Sequence, residues 1–508
     1  MGQTPDRRPG PLIEEEEIQL GTNAGDPSVV GGIRYNGSSF QFKDGTGTFD
    51  PRSTGGGGTT PIYLGTGQDY TTLASAMSEA TTRAGAGGWA EIIVIGSVTT
   101  TSQVDFGADG ITIRGADQNA ELVWNGTFDL LDLNAHHDIV VRDLHFRSTA
   151  TSQQNYSAIW DDTITALSSF KCLDCEFDGN GYQGEALYLN YVSHAEIRQN
   201  KFVDFSIGTN AIVIRVNYST DLEISGNEFT GGAIPIYLRP SSLRWNVRDN
   251  SMVDLKSGSS SYGVYIEGTT QSKSGAIVGN SIAWTGSTSG NGLYITGNTS
   301  SDWLRITDNT IYGISSGVIG IYVGTTTTLD AIVANNIVIG NSASYGSYGI
   351  FLEPTGGSFS CGGNRVDHFQ QGIWCSTGSS TVDHNTVTDC SSYGIVVTGG
   401  TEYNVVSSNN VDGTSHSIYI NGSDYCNVTG NICKTGIKST SGSDRGIFTN
   451  NICASTMQID SDYNNLSGNS FSAGGILIYG DYNLTHGNRY IGGSYTDNGT
   501  GNNQYDDM

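Results

Sequence analysis

IRQNKF (197–202), ISGNEF (224–229), VRDNSM (247–252), IVGNSI (277–282) and ITDNTI (306–311) are one phrase repeated along the chain. Each has an apolar residue, two variable positions, an asparagine and a second apolar residue two places on. The phrase continues as IVANNI (332–337), VDHNTV (382–387), VSSNNV (406–411) and LSGNSF (466–471). Its asparagines are Asn200, Asn227, Asn250, Asn280, Asn309, Asn335, Asn364, Asn385, Asn409, Asn431, Asn451, Asn469 and Asn488. They recur about every 18 to 30 residues, the interval of a solenoid in which each repeat makes one coil. Asparagine suits the bend because it tolerates left-handed backbone angles, and stacked copies can hydrogen-bond to one another as a ladder.

A second phrase runs beside the first: GVYIE (263–267), GLYIT (292–296), GIYVG (320–324), GIFLE (349–353), GIWCS (372–376), GIVVT (394–398) and SIYIN (417–421). Strand alternation sends its aliphatic residues inward and its middle residue outward. The outward column then reads Asp132, Trp160, Tyr188, Val213, Tyr237, Tyr265, Tyr294, Tyr322, Phe351, Trp374, Val396, Tyr419, Lys438, Gln458 and Leu477. About fifteen coils at about 4.8 Å each make a rod of roughly 70 Å. The fold predicted is all-β, a right-handed parallel β-helix over 105–493, ending in a tail at 494–508.

Upstream, GTGQDYTTLASAMSEA (65–80) predicts a helix from Tyr70 to Arg83, capped by Asp69 or Thr71, within an entry segment at 62–104. Such a helix covers the open first coil, which otherwise invites edge pairing. RSTGGGGTTP (52–61) reads as a flexible linker that sets residues 1–51 apart as a small module.

Composition narrows the function. Asp and Glu total 50 against 24 Lys and Arg, a net charge of −26, which opposes the phosphate neutralisation that non-specific nucleic-acid binding requires. No apolar run of about 18 residues exists to insert into a membrane. The start, MGQTPDRRPGPLIEEEEIQL, has glutamates where a signal peptide would have its apolar region, so the chain is expected to fold in a cytoplasm. Cys172, Cys175, Cys361, Cys433 and Cys453 fall at or beside positions where the repeats otherwise place Val, Ile, Phe or Asn, and are expected as reduced core residues.

GTGQDYTTLASAMSEA, DGITIRGA (109–116) and the run of asparagine repeats together resemble the pectate-lyase-like β-helix superfamily of polysaccharide lyases, hydrolases, epimerases and phage tailspikes. GGIRYNGSSFQFKDGTGTF (31–49) is similar to a short motif of tail-fibre and other appendage proteins of tailed phages. The two resemblances imply a virion tailspike or tail-fibre subunit, assembled in the host cytoplasm. Its front end would attach to other virion tail proteins, and its solenoid would meet a bacterial surface glycan. They imply a homotrimer; no cofactor is expected. Two alternatives stand beside this reading: a structural or adhesive appendage without catalysis, and a free polysaccharide lyase or epimerase.

Glycosidases use two carboxylates about 5 to 9.5 Å apart. Glu196 and Glu223 precede the inward isoleucines of successive repeats, so they are expected to stack outward one strand spacing apart as acid and base. Crowding of like charges would raise one pKa, as an acid catalyst needs. Lys171, Arg198 and Arg248 at neighbouring outward sites equally describe a charge ladder. Trp160, Tyr188, Tyr237 and Tyr265 are candidate sugar platforms, with Arg215 and Arg239, expected to stack on adjacent coils, as substrate-binding cations. The aromatic column fits a glycan groove, a subunit interface or stacking within the chain. Asp161 and Asp162 flank the first platform, and Glu267 and Glu353 follow stripe aromatics. No metal site is expected.

Overall fold

The computed structural model describes residues 33–35, 40–44, 47–49 and 60–505, the last without 87, 153–155, 164–166, 183, 206–210, 240–243, 256–260, 269–273, 285–289, 298–302, 326–329, 354–355, 377–378 and 400–402. Ile33–Tyr35, Phe40–Asp44 and Gly47–Phe49 form an antiparallel three-stranded sheet. The glycine-rich segment lies outside the described residues, apart from its last two.

From Ile62 onward every ladder is parallel, and each coil contributes one strand to each of three sheets. One coil shows the plan: Leu187–Asn190 lies in sheet 1, Val192–Arg198 in sheet 2 and Lys201–Val203 in sheet 3, and the chain returns to sheet 1 at Ile212–Asn217. Parallel pairing starts ahead of residue 105, at Ile62–Gly65, and runs past 493 to Asn503–Tyr505. A helix at Leu73–Gly85 lies against the first strands and buries Leu73, Ala76, Met77 and Ala80. It starts about three residues later than the sequence suggests, because Thr72 is the cap and accepts from the Ser75 amide at 3.3 Å.

The asparagine ladder is continuous and buried. Asn200 donates its backbone N–H and its Nδ2 to Oδ1 of Asn227, at 2.9 and 3.0 Å, and its Nδ2 also reaches the Cys172 carbonyl at 2.9 Å. The same pattern passes link by link through Asn250, Asn280, Asn309 and onward to Asn488. Two details of the sequence reading change. The ladder residue in IVANNI is Asn336, whereas Asn335 precedes it at φ 56. The left-handed residue is thus the one before the ladder asparagine, as at Gln199 (φ 57), Asp249 (φ 55) and His384 (φ 54). The ladder asparagines turn inward, and their amides satisfy backbone groups that burial would otherwise strand.

Stacked phenylalanines fill part of the interior, with Phe146, Phe177, Phe202 and Phe229 at centroid spacings of 4.7, 4.9 and 4.8 Å. All eight cysteines are free and buried. The glycine column of the second phrase has a steric cause: a Cβ at Gly320 or Gly349 would stand 2.2 Å from Cγ1 of Val338 or Val366, core residues of sheet 3. Glycine lets the chain turn tightly into sheet 1.

Candidate functional site

The outer face of sheet 1 carries the aromatic column, one residue per coil in direct register. One member differs from the sequence reading. Arg215, not Val213, pairs with Tyr188 on one side and Tyr237 on the other. Val213 takes the position that small residues hold elsewhere, which shifts the apparent phase of IVIRV. Arg215 and Arg239 therefore do not stack on each other, since Arg239 pairs with Asn217. Both instead approach Tyr237, at 5.6 and 5.7 Å from its ring centroid.

The rings largely satisfy one another. Trp160 and Tyr188 stack at 4.1 Å, Tyr294 and Tyr322 at 4.5 Å, and Tyr393 packs on Tyr419 at 4.8 Å. A second outward column, containing Tyr262, Tyr348 and Tyr393, widens the face. Midway, Glu267 accepts from the Tyr237 hydroxyl and from Arg239 Nε, the latter at 2.9 Å. Burial drives the Tyr265 hydroxyl up to about 12, and the charge of Glu267 adds to that shift.

At the head of this face carboxylates gather around the Trp160–Tyr188 stack. Asp132 is in register with Trp160 one coil earlier, and Asp162 follows Trp160 by two residues. Burial raises Asp132 above the ordinary carboxylate range, and the charges of Asp105 and Asp162 add to the shift. Asp129 is raised in the same way, with contributions from Asp132 and Asp162. Asp161 is fully buried and pushed up to about 6 by desolvation, against the Thr163 amide and hydroxyl that bond its Oδ1. Its Oδ2 has no hydrogen-bond partner among the described residues. Glu185, raised by burial despite an ion pair to Arg215 at 2.6 Å, completes the group. The sequence pointed to Asp161, Asp162 and Trp160. It missed Glu185, which lies before its strand in no recurring phrase, and treated Asp132 only as a stripe position.

Glu196 and Glu223 stand in direct register on sheet 2, as their repeats require. Each has its own cation, however. Lys171 Nζ lies 2.8 Å from Glu196, and Arg248 Nη2 lies 2.7 Å from Glu223, which also accepts from Ser225. Partial burial pushes Glu223 up, but the Arg248 and Ser225 hydrogen bonds outweigh it and hold the carboxyl below its ordinary value. The expected rise from like-charge crowding does not occur at Glu223, because cations interleave with the acids.

One group among the described residues has metal-ligand spacing: Asp367, His368 and Asp389, with candidate ligand atoms within 4.8 Å of one another. The imidazole lies between the acids, Nδ1 3.0 Å from Asp367 and Nε2 3.9 Å from Asp389, a geometry that also suits an ion pair on either side. Sequence reading missed it because its members come from two coils.

A family model for the right-handed β-helix region matches residues 163–338 and 258–433, and the chain belongs to that family. Among solved structures it is similar to the Dettilon tailspike protein, at 12% identity and TM-score 0.36 over 79% of this chain and 64% of that one. It is also similar to the tailspike protein of E. coli bacteriophage HK620 in complex with pentasaccharide, at 10% identity and TM-score 0.34 over 85% of this chain and 76% of that one. A third is the Azotobacter vinelandii mannuronan C-5 epimerase A-module, at 10% identity and TM-score 0.25 over 84% of this chain and 95% of that one. The chain thus spans a little under two thirds of the length of the Dettilon protein. No curated protein matches.

Proposed function

We propose that this chain is a subunit of a virion tail appendage that binds a bacterial surface polysaccharide along the outer face of sheet 1 and cleaves it at the carboxylate cluster heading that face. The observation that carries the reading is the junction of the two: a stacked Trp160–Tyr188 platform bordered by acids that burial keeps protonated to higher pH than usual. Sugar rings stack on aromatic surfaces, and glycosidic cleavage needs one protonated and one ionised carboxyl group. The phage-appendage motif at 31–49 supports the virion setting.

The columns suggest the roles. Asp132, half-buried and raised, is the general acid, and the exposed Asp162 is the base. They are one coil and two residues apart, with Asp162 just past the end of the strand Ile159–Asp161. The mechanism proposed for the pair is that of an inverting hydrolase, which leaves room for water between carboxyls roughly 6.5–9.5 Å apart. Arg215, Tyr188, Tyr265 and Arg239 continue the face as binding positions for the next sugars, with the buried Tyr237 packed against Arg215, Arg239 and Tyr265 as their support. Incubation of the protein with purified host capsule or lipopolysaccharide, read by NMR, is expected to release oligosaccharides with inverted anomeric configuration. Binding without any release would leave the adhesive alternative, and retained configuration would exclude this pair.

A further inference from the structure

Sheet 2 carries a concavity of about 280 Å³ on a different face from the aromatic column, lined by Asp221, Glu223, Arg244, Asn246, Ala276 and Trp303 among others. Its shape follows from register. Arg244, Ser274 and Trp303 occupy one column on three successive strands, and Asn246, Ala276 and Arg305 the next outward column. The middle strand contributes only a hydroxymethyl and a methyl group, so its neighbours stand above it as walls. Arg244 and Trp303 are therefore two strand spacings apart, roughly 9.5 Å. A ring in ordinary contact with both, at about 3.5–4 Å from each, needs roughly 7–8 Å. The slot is one ring wide.

Its walls differ in chemistry. Trp303 is 43% exposed, and no ring contact to it exists among the described residues. The opposite wall is polar: Arg244 is held by Asp221 at 2.5 Å, and Asn246 lies in register between Glu223 and Ala276. An apolar face opposite a row of donors and acceptors is the pattern that recognises a pyranose, whose ring has one C–H-rich face and an equatorial rim of hydroxyls. The slot also lies close to sheet 1 along the chain. The sheet 1 strand Ile234–Arg239 ends five residues before Arg244 in the sequence.

We infer that the Trp303 slot is a second carbohydrate-binding subsite, one pyranose wide, which holds a remote unit of the surface polysaccharide. The inference rests on the glycan-binding reading of sheet 1 and adds a site that does no chemistry. It gives the appendage a grip that survives cleavage at the head of sheet 1.

The test uses the full-length protein and a panel of purified bacterial capsular and O-antigen polysaccharides immobilised on plates. Trp303→Ala removes the platform, Ser274→Tyr fills the slot with the platform intact, and Trp160→Ala disables sheet 1. Circular dichroism confirms that each variant keeps its β-helix. For a polysaccharide bound by the wild type, both slot variants are expected to lower affinity roughly tenfold, in line with one lost aromatic contact. Slot variants that bind like the wild type while Trp160→Ala weakens binding would overturn the inference and leave the sheet 1 reading standing. A wild type that binds nothing in the panel would overturn both.

Discussion

At the scale of single residues, burial decides which carboxylates can do chemistry. Asp161 has a pKa raised from 3.8 to about 6 by desolvation. Below pH 4 it is protonated in both folded and unfolded chains. As pH rises from 4 to 6 the unfolded chain releases this proton first, so stability falls across that window. The shift of about two units corresponds to at most about 3 kcal/mol. Urea titrations should therefore show Asp161→Asn stabilised relative to the wild type at pH 7 and not at pH 4. Equal differences at the two pH values would mean that folding does not raise the Asp161 pKa. Glu223 illustrates the opposite case, because Arg248 and Ser225 keep it low. Glu223→Gln is expected to cost about 1 kcal/mol or less, the usual worth of a half-exposed ion pair, and, although Glu223 lines the Trp303 slot, to leave the rate of cleavage of bound glycan unchanged. Sequence placed Glu196 and Glu223 in register correctly, but it could not weigh the cations against the like charge. That balance depends on side-chain reach across coils.

At the scale of the element, the asparagine turn was legible as a repeat and illegible in detail. Of the two asparagines in IVANNI, sequence reading takes the first, Asn335, whereas the hydrogen bonds of Asn336 to Asn364 put the second in the ladder. The two residues should respond oppositely to substitution. Asn336→Ala leaves the Asn309 amide donors without their acceptor in a buried turn, at a cost of about 3 kcal/mol or more. Asn335→Gly removes a side chain from a left-handed residue and should be neutral or mildly stabilising. Thermal unfolding of both variants checks this, and equal losses would contradict it. The helix was likewise visible in composition while its start was not, because Asp69, Thr71 and Thr72 all offer capping oxygens. Thr72→Ala should cost about 1 kcal/mol. The Arg215 position failed for a related reason: Val213 mimics an outward stripe residue when only the alternation of IVIRV is read.

At the scale of the whole molecule, three sheets repeat the same register from Ile62 to Tyr505, and this was the most legible level. Each coil restates the same pattern, so an error in one leaves the others intact. Sites are not restated, and the head cluster gathers from single occurrences in several coils. The lower half of the sheet 1 face, from Tyr294 to Tyr419, carries aromatics and few charges in its central column. It is expected to be covered by two further copies in a parallel homotrimer. Light scattering should give three times the 53.8 kDa chain mass, and a stable monomer would contradict this. Residues 1–51 are expected to be needed for attachment to the particle and dispensable for folding of the solenoid. A chain beginning at Pro61 should melt like the full protein and fail to join particles. The central claim, that the head of sheet 1 is where glycan is cut, is tested most directly by the rate of reducing-end release from bound polysaccharide across four variants. Asp132→Asn and Asp162→Asn should each slow release by about 10²- to 10⁴-fold with binding retained, and Glu196→Gln and Glu223→Gln should cleave at the wild-type rate. Full activity in both aspartate variants, or loss confined to the two glutamates, would contradict the account and place the chemistry on sheet 2.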